Sequence, residues 1–437
     1  MSTSASPRPP RVVIVGAGMA GLAAARALRH APVTVLLVDA HNYTTFPPLL
    51  FQVATCFISP EEVARPVRAL LPRNRRAEFL VGRVVEVDWA GKEVLLEGGG
   101  RLGFDFLVLA TGVVPAYAGV AGAAAQAVPL KTVNDAVRLR NGVLGSFERA
   151  AARPDRAVPG DTRIAVVGGG PTGVELSGYV ANFLFRYQFA ADYPQLDPAS
   201  MRVTLLERGD RLLPGFHRKL SEYAVEALRL RGVEVRLRAE VVQVDKDGVV
   251  LSGGERIPAS TVVWAGGVEA PGWITGLGLS VRDGRVLVDP DLRVPGRSDT
   301  FAVGDLAAVS GAGGRLYPQL AQVAIQSGRH AAQQIRRLSV GEPTTAFRYL
   351  DKGLMAVVGR NAAVVQTGPL QLTGRLAWIA WGFLHLGYLP GVINRMSTGL
   401  KYLWWHVSHE SAYRALIEPD ASVPSDDRLS QPRRSST

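Results

Sequence analysis

Two glycine clusters hold the residues of this chain best suited to chemistry. They are Gly16-Ala17-Gly18-Met19-Ala20-Gly21 and Gly168-Gly169-Gly170-Pro171-Thr172-Gly173. Each follows an apolar run, "RVVIV" or "RIAVV", and each leads into a stretch with helical composition. The spacing G-x-G-x-x-G suits a strand, a tight turn and a helix start. Gly16 and Gly168 permit the turn. Gly18 and Gly170 let the backbone approach a phosphate, and Gly21 and Gly173 let the helix pack on its strand. The helix start offers unpaired N–H groups and a positive dipole end to anionic oxygens. A second strand follows each cluster and ends in an acid, Asp39 or Glu207. Such an acid can accept hydrogen bonds from ribose hydroxyls. A carboxylate at Glu207 also repels a 2′-phosphate, which favours NADH over NADPH, although Arg208 and Arg211 lie close by.

Other elements must position these turns. "FLVLATG", ending in Thr111-Gly112, and "TVVWAGG", with Gly266, read as strands entering small-residue turns. "DTFAVGDLA" reads as a strand ending at Gly304-Asp305, an acid well placed for polyol hydroxyls. Two strand–turn–helix units in one chain make an internal repeat at domain scale and imply two dinucleotides.

The chain has 437 residues, nearly half of them apolar and a fifth charged, enough for two or three domains. The net charge of +11 comes with no basic run that interleaves aromatics, so nucleic acid is not expected as a partner. An anionic membrane surface or plain arginine-rich composition accounts for the charge equally well. The polar, Pro-rich start lacks the apolar core of a signal peptide, and residues 1–9 and 419–437 read as tails. No segment is long enough to cross a bilayer, and no metal-ligand cluster is visible. One cysteine, Cys56, excludes an intramolecular disulfide.

In this order the markers resemble the two-dinucleotide-binding flavoprotein superfamily, in which FAD and NAD(P)H occupy successive units. The disulfide reductases and sulfide:quinone reductases of that group need paired cysteines, which this chain lacks. "HNYTTFPPLLFQVATC", "YPQLAQVAIQSGRHAAQQI" and "YLDKGLMAVVGRNAAV" then resemble the type II NADH dehydrogenases, single-subunit NADH:quinone oxidoreductases. The likeness runs from about Arg11 to about Ile417. Ala321-Gln322-Val323-Ala324-Ile325-Gln326 fits that family's AQxAxQ quinone motif, while Cys56 stands where the family usually has glycine.

The resemblance assigns Gly16, Gly18, Gly21, Asp39, Thr111, Gly112, Gly304, Asp305, Ala321 and Gln322 to FAD. It assigns Gly168, Gly170, Gly173, Glu207 and Gly266 to NADH. Gln322 and Gln326 share a helix face, and their amides can donate to quinone carbonyls without adding charge. Glu175 either assists proton delivery to the quinone or merely accepts hydrogen bonds from helix amides. Lys352 is either a surface residue or one that approaches the flavin.

"RLAWIAWGFLHLGYLPG" is too apolar for an ordinary surface helix and too short to span a bilayer. After it, Ile393, Met396, Leu400, Leu403, Trp404 and Val407 form one helical stripe. With flanking tryptophans and tyrosines, the pair suits a membrane interface. Buried core helices or a homodimer interface are the other uses for such faces, and the two can coexist.

The expected architecture is α/β. It has two nested Rossmann-like domains, FAD-binding at 10–118 and 276–335 and NADH-binding at 119–275, then an amphipathic helical membrane anchor at 336–418. The expected activity is two-electron transfer from NADH to a membrane quinone without proton pumping, at the cytoplasmic face of the cell membrane. The competing readings are a soluble NADH-dependent flavoprotein reductase of a small redox protein, and a non-catalytic flavin- and NADH-binding interaction protein.

Overall fold

The computed structural model describes residues 8–71, 77–154, 160–408 and 413–416. Apart from residues 8 and 9, the expected tails lie outside the described residues.

The first glycine turn joins β1 (Arg11–Val15) to α1 (Met19–Ala27). β2 (Thr34–Asp39), β3 (Ala77–Val81) and β4 (Phe106–Leu109) complete a parallel array in the order β4-β1-β2-β3. Val12, Val13 and Ile14 are fully buried, as a parallel strand covered on both faces requires. The second turn repeats the design. β5 (Arg163–Val167) enters α2 (Pro171–Tyr179), and β6 (Arg202–Glu207), β7 (Val233–Leu237) and β8 (Thr261–Trp264) join it in parallel. Val128–Pro129 lies at the far edge beside β8.

The chain then returns to the first sheet. β9 (Thr300–Ala302) pairs in parallel with β4, so the strands of the second sheet are inserted between two neighbours of the first. α3 (Ala321–Leu338) crosses α1 at backbone contact. A Cβ on Gly328 would stand 2.1 Å from the Ala20 carbonyl oxygen, so only glycine fits that crossing. The Ser327 hydroxyl accepts from the Gly304 N–H at 3.0 Å and ties the Gly304-Asp305 turn to α3.

The C-terminal part is more than a pair of helices. β10 (Leu354–Gly359), β11 (Ala362–Thr367) and β12 (Leu370–Thr373) form an antiparallel sheet that packs on α2. Its residues Ala356–Val358 and Ala362–Val365 are buried in the same core as the second unit. The sequence reading placed all of 336–418 in the anchor. In the sheet's first two strands the alternating pattern is masked by near-continuous apolar residues, because both of their faces are covered.

α4 (Gly374–Tyr388) and α5 (Val392–Ser408) follow. Ala377 and Trp381 of α4, and Asn394, Thr398 and Trp405 of α5, face inward and are buried. Leu376, Phe383, Ile393, Met396, Leu400 and Trp404 face outward, each more than 60% exposed. The underside of α5 is held by polar groups. Asn394 Nδ2 donates to the carbonyls of Glu61 and Glu62 at 3.0 and 2.8 Å, and its Oδ1 accepts from Arg65 Nη1 at 3.1 Å. Ser397 Oγ and Lys401 Nζ both donate to the buried Glu62 carboxylate.

Glu62→Ala should therefore loosen α5 in particular. Removing one partner of a buried pair costs about 3 kcal/mol, so amide hydrogen exchange across α5 should quicken about a hundredfold. Adding Lys401→Met should restore part of the protection. Unchanged exchange in Glu62→Ala would mean that apolar packing alone seats the helix.

Candidate active site

The starts of α1 and α2 both open onto one cavity of about 1850 Å³. Neither helix has a side-chain cap at its N-terminus. Their first N–H groups are therefore left to whatever enters the cavity. The glycines divide their duties identically in the two turns. A Cβ on Gly16 or Gly168 would lie 2.3 Å from the carbonyl oxygen of Ala110 or Ala265. One on Gly21 or Gly173 would lie 1.8 or 1.9 Å from that of Gly16 or Gly168. A Cβ on Gly18 or Gly170 would meet no protein atom within 4 Å and would stand in the cavity itself. That open space beside uncapped N–H groups is what a pyrophosphate needs.

Each second-strand acid grips its own turn. Asp39 Oδ2 accepts from the Ala17 N–H at 2.6 Å, and Oδ1 accepts from His41 N at 2.8 Å. Glu207 Oε2 accepts from the Gly169 N–H at 2.6 Å, and Oε1 accepts from Gly209 N at 2.6 Å. A carboxylate offers about four lone-pair sites, so each acid keeps acceptor capacity for hydroxyls.

Among the residues expected to hold FAD, Gly16, Gly18, Asp39, Thr111, Gly112, Gly304, Asp305, Ala321 and Gln322 line this cavity. Gly21 lies behind it as the packing glycine. Burial pushes the Asp305 carboxyl above its ordinary range, while Lys131 and Arg285 draw it back. This donor set fits a flavin dinucleotide: an anion cradle at one end and an acid for a polyol at the other. Of the residues expected to hold NADH, Gly170 lines the cavity, whereas Gly168, Gly173, Glu207 and Gly266 do not.

Glu175, on the second turn of α2, also lines the cavity. Its Oε1 accepts from the Val357 N–H of β10 at 3.2 Å, rather than from a helix N-terminal amide. Burial pushes its carboxyl up to about 8, against the pull of that bond and of the Trp381 indole. Trp381 in turn stacks on His385, with centroids 4.3 Å apart. His385 Nδ1 is 2.7 Å from the Trp381 carbonyl oxygen and so carries its proton there. Burial lowers the His385 pKa.

Gln322 and Gln326 do lie together on α3 at the cavity wall. Their amides have a prior engagement, however. Gln322 Nε2 donates to Gly353 O at 2.8 Å and its Oε1 accepts from Lys352 N at 3.1 Å. Gln326 Nε2 donates to Leu350 O at 3.0 Å and its Oε1 accepts from Leu350 N at 2.9 Å. Both side chains pin the backbone of 350–353, a contact that helical spacing alone cannot reveal. Sequence reasoning did not select His385 or Tyr388 for the site. The only signal was a lone histidine in a stretch otherwise without strongly polar residues.

Cys56 adopts φ 61°, a left-handed conformation natural to glycine. It is buried, and burial pushes its thiol up to about 12.

The Glu175 carboxyl also leaves a signature in stability. Between about 4.5 and about 8 the folded chain holds this proton more tightly than the unfolded one. This group's contribution therefore falls as pH rises through that window and levels off above it. Glu175→Gln keeps an acceptor for Val357 and removes the titration. Between about pH 5 and about pH 8 the wild type should lose melting temperature relative to Glu175→Gln. Parallel pH profiles would show that the carboxyl titrates in its ordinary range.

With this geometry in place, comparison with known proteins is informative. Residues 10–328 match the family model for pyridine nucleotide-disulphide oxidoreductases. The type II NADH:quinone oxidoreductase Ndh of Mycobacterium tuberculosis is 37% identical over 436 residues, covering 95% of this chain and 91% of that protein. A type II NADH:quinone oxidoreductase of Staphylococcus epidermidis is 30% identical, over 81% of this chain and 89% of that one. In fold, the chain superposes on NDH2 from Plasmodium falciparum in complex with NADH, with a TM-score of 0.85 over 94% of this chain and all of that one, at 18% identity. The chain therefore belongs to the pyridine nucleotide-disulphide oxidoreductase family and, within it, to the type II NADH:quinone oxidoreductases.

Proposed function

We propose that this protein uses FAD to pass two electrons from NADH to a membrane quinone, with no proton translocation. One observation carries the reading. A single cavity is lined both by two uncapped nucleotide turns and by Leu384, Gly387, Tyr388 and Pro390 of the segment whose outward face is apolar.

The N–H groups at the start of α1 would take the FAD pyrophosphate, and Asp39 the adenosine ribose. Asp305 would take the ribityl hydroxyls. The start of α2 would hold the NADH pyrophosphate, with Glu207 beside its ribose. Bound there, FAD supplies the two-electron relay between nicotinamide and quinone, chemistry that no side chain here performs. Overall, NADH, one proton and quinone give NAD⁺ and quinol. With its carboxyl raised to about 8, Glu175 holds a proton at neutral pH within the cavity and can deliver it to a quinone oxygen.

The test is a steady-state comparison of acceptors with purified enzyme in detergent. Quinone should outpace both a ferredoxin-like protein and oxygen. NADPH should be poorer than NADH by about tenfold or more in kcat/KM, because like charges would meet at Glu207. Faster turnover with the small redox protein would favour the soluble-reductase reading. Tight NADH binding without turnover would favour a sensor.

The outward stripe supports peripheral attachment to a membrane surface. Among the described residues no helix is long and apolar enough to cross a bilayer. Each large side chain sunk into the acyl boundary contributes about 2 kcal/mol, and salt does not screen that gain. Intact protein should sediment with vesicles at both low and high salt. Phe383→Glu, Met396→Glu and Trp404→Glu together should abolish sedimentation and leave the fold intact, since all three are exposed. If instead the triple variant turns a dimer into a monomer and still sediments, the stripe is a subunit interface.

A further inference from the structure

We propose that Gln322 and Gln326 serve quinone reduction at one remove: they are positioning residues for Lys352, whose ammonium donates a hydrogen bond to the quinone oxygen. This rests on the quinone-reductase reading above.

The segment 350–353 has no regular structure, yet its backbone is tied down at nearly every group. The two glutamine amides hold Leu350 at both its N–H and its carbonyl, Lys352 at its N–H and Gly353 at its carbonyl. Thr367 Oγ1 donates to Lys352 O at 3.3 Å, and Gly353 N donates to Asp351 Oδ1 at 2.8 Å. Gly353 has φ 91°, and a Cβ there would lie 2.2 Å from the Gln366 carbonyl oxygen. An irregular strand needs some such partners, but six satisfied groups in three residues fix its position closely. A carboxamide held at both its oxygen and an N–H is also not free to turn toward a ligand.

The side chain displayed by this platform is Lys352, which lines the cavity beside Ala321, Leu354 and Met355. Its Nζ stands 3.5 Å from the Tyr388 hydroxyl at the end of α4. The neighbouring Asp351 carboxylate is occupied by Tyr349 OH and Gly353 N instead. Among the described residues no carboxylate lies within ion-pair distance of Lys352. A cation without a counter-ion, carried to the cavity wall on a pinned backbone, stabilises negative charge that develops beside it. A quinone oxygen acquires such charge as two electrons arrive. The proton that completes the quinol comes from Glu175.

The experiment is a double-mutant cycle on the holoenzyme with a water-soluble short-chain quinone. Lys352→Met should slow quinone-dependent reoxidation of the NADH-reduced enzyme about a hundredfold. Its reaction with NADH should stay within about twofold of wild type, and Lys352→Arg should recover about tenfold. The quinone dissociation constant of the resting enzyme, from equilibrium dialysis, should rise less than about tenfold, because the charge develops only later. Gln322→Leu with Gln326→Leu should slow the same step about tenfold or more. In the Lys352→Met background that pair should add less than about threefold, since residues acting through one group are not additive. Losses that multiply in full would mean that the amides act on the quinone themselves, and the proposal falls. It falls alone if Lys352→Met leaves a quinone-competent enzyme unchanged. A wild type that reduces no quinone overturns it together with the reading on which it rests.

Discussion

The grip of a carboxylate on a glycine turn, made twice, is the constraint on which the molecule depends. Asp39 and Glu207 reach across from the end of their strands and each takes a turn N–H at 2.6 Å. A charge-assisted bond of that length is about twice as strong as a neutral one. It holds the chain in the one path that leaves a helix start uncapped and aimed at open space. The rest of the fold arranges these two starts around one cavity. The second sheet is inserted between β4 and β9, so the chain must leave the first unit and come back to it. On its return, α3 packs so closely on α1 that only Gly328 fits. The residues at the head of α3 are thereby delivered to the same cavity as the first turn.

This part of the design was legible because its chemical requirement sits in adjacent residues. Gly16, Gly18 and Gly21 must occur together, and a strand must precede them. Asp39 lies one helix and one strand away, a distance set by element lengths. The apolar stripe of α5 was legible for the same reason, as helical spacing places Ile393, Met396 and Leu400 on one face. What stayed hidden was non-local. The raised carboxyl of Glu175 depends on β10 and α4, nearly two hundred residues on. The amides of Gln322 and Gln326 looked free because their partners, 24 to 31 residues ahead, carry no side-chain signature. A backbone carbonyl is the same at every position, so no pattern of residue types can announce it.

The two sides of the C-terminal helices follow different rules. Outward, large apolar side chains stay exposed, the mark of an interaction surface. Inward, α5 is keyed by Asn394, Ser397 and Lys401 to the 61–65 segment through directional bonds. A purely apolar underside would slide, or would compete with the outer face for burial. Polar keys fix which face turns out.

The family takes its name from disulphide chemistry, yet this chain carries no pair of cysteines. Its one cysteine is buried in a left-handed turn, with a thiol pushed up to about 12. A thiolate is the reactive form of cysteine, and here it is scarcely populated at neutral pH. Electrons that reach this cavity therefore have no protein stop between donor and acceptor. What the chain contributes to the transfer is placement, charge and a proton. On the mechanism we propose, those roles fall to groups that hold their position: helix N–H groups, the pinned segment around Lys352, and the buried Glu175. On the same mechanism, rigidity at these points would let one scaffold serve both a nucleotide from water and a lipid-soluble acceptor.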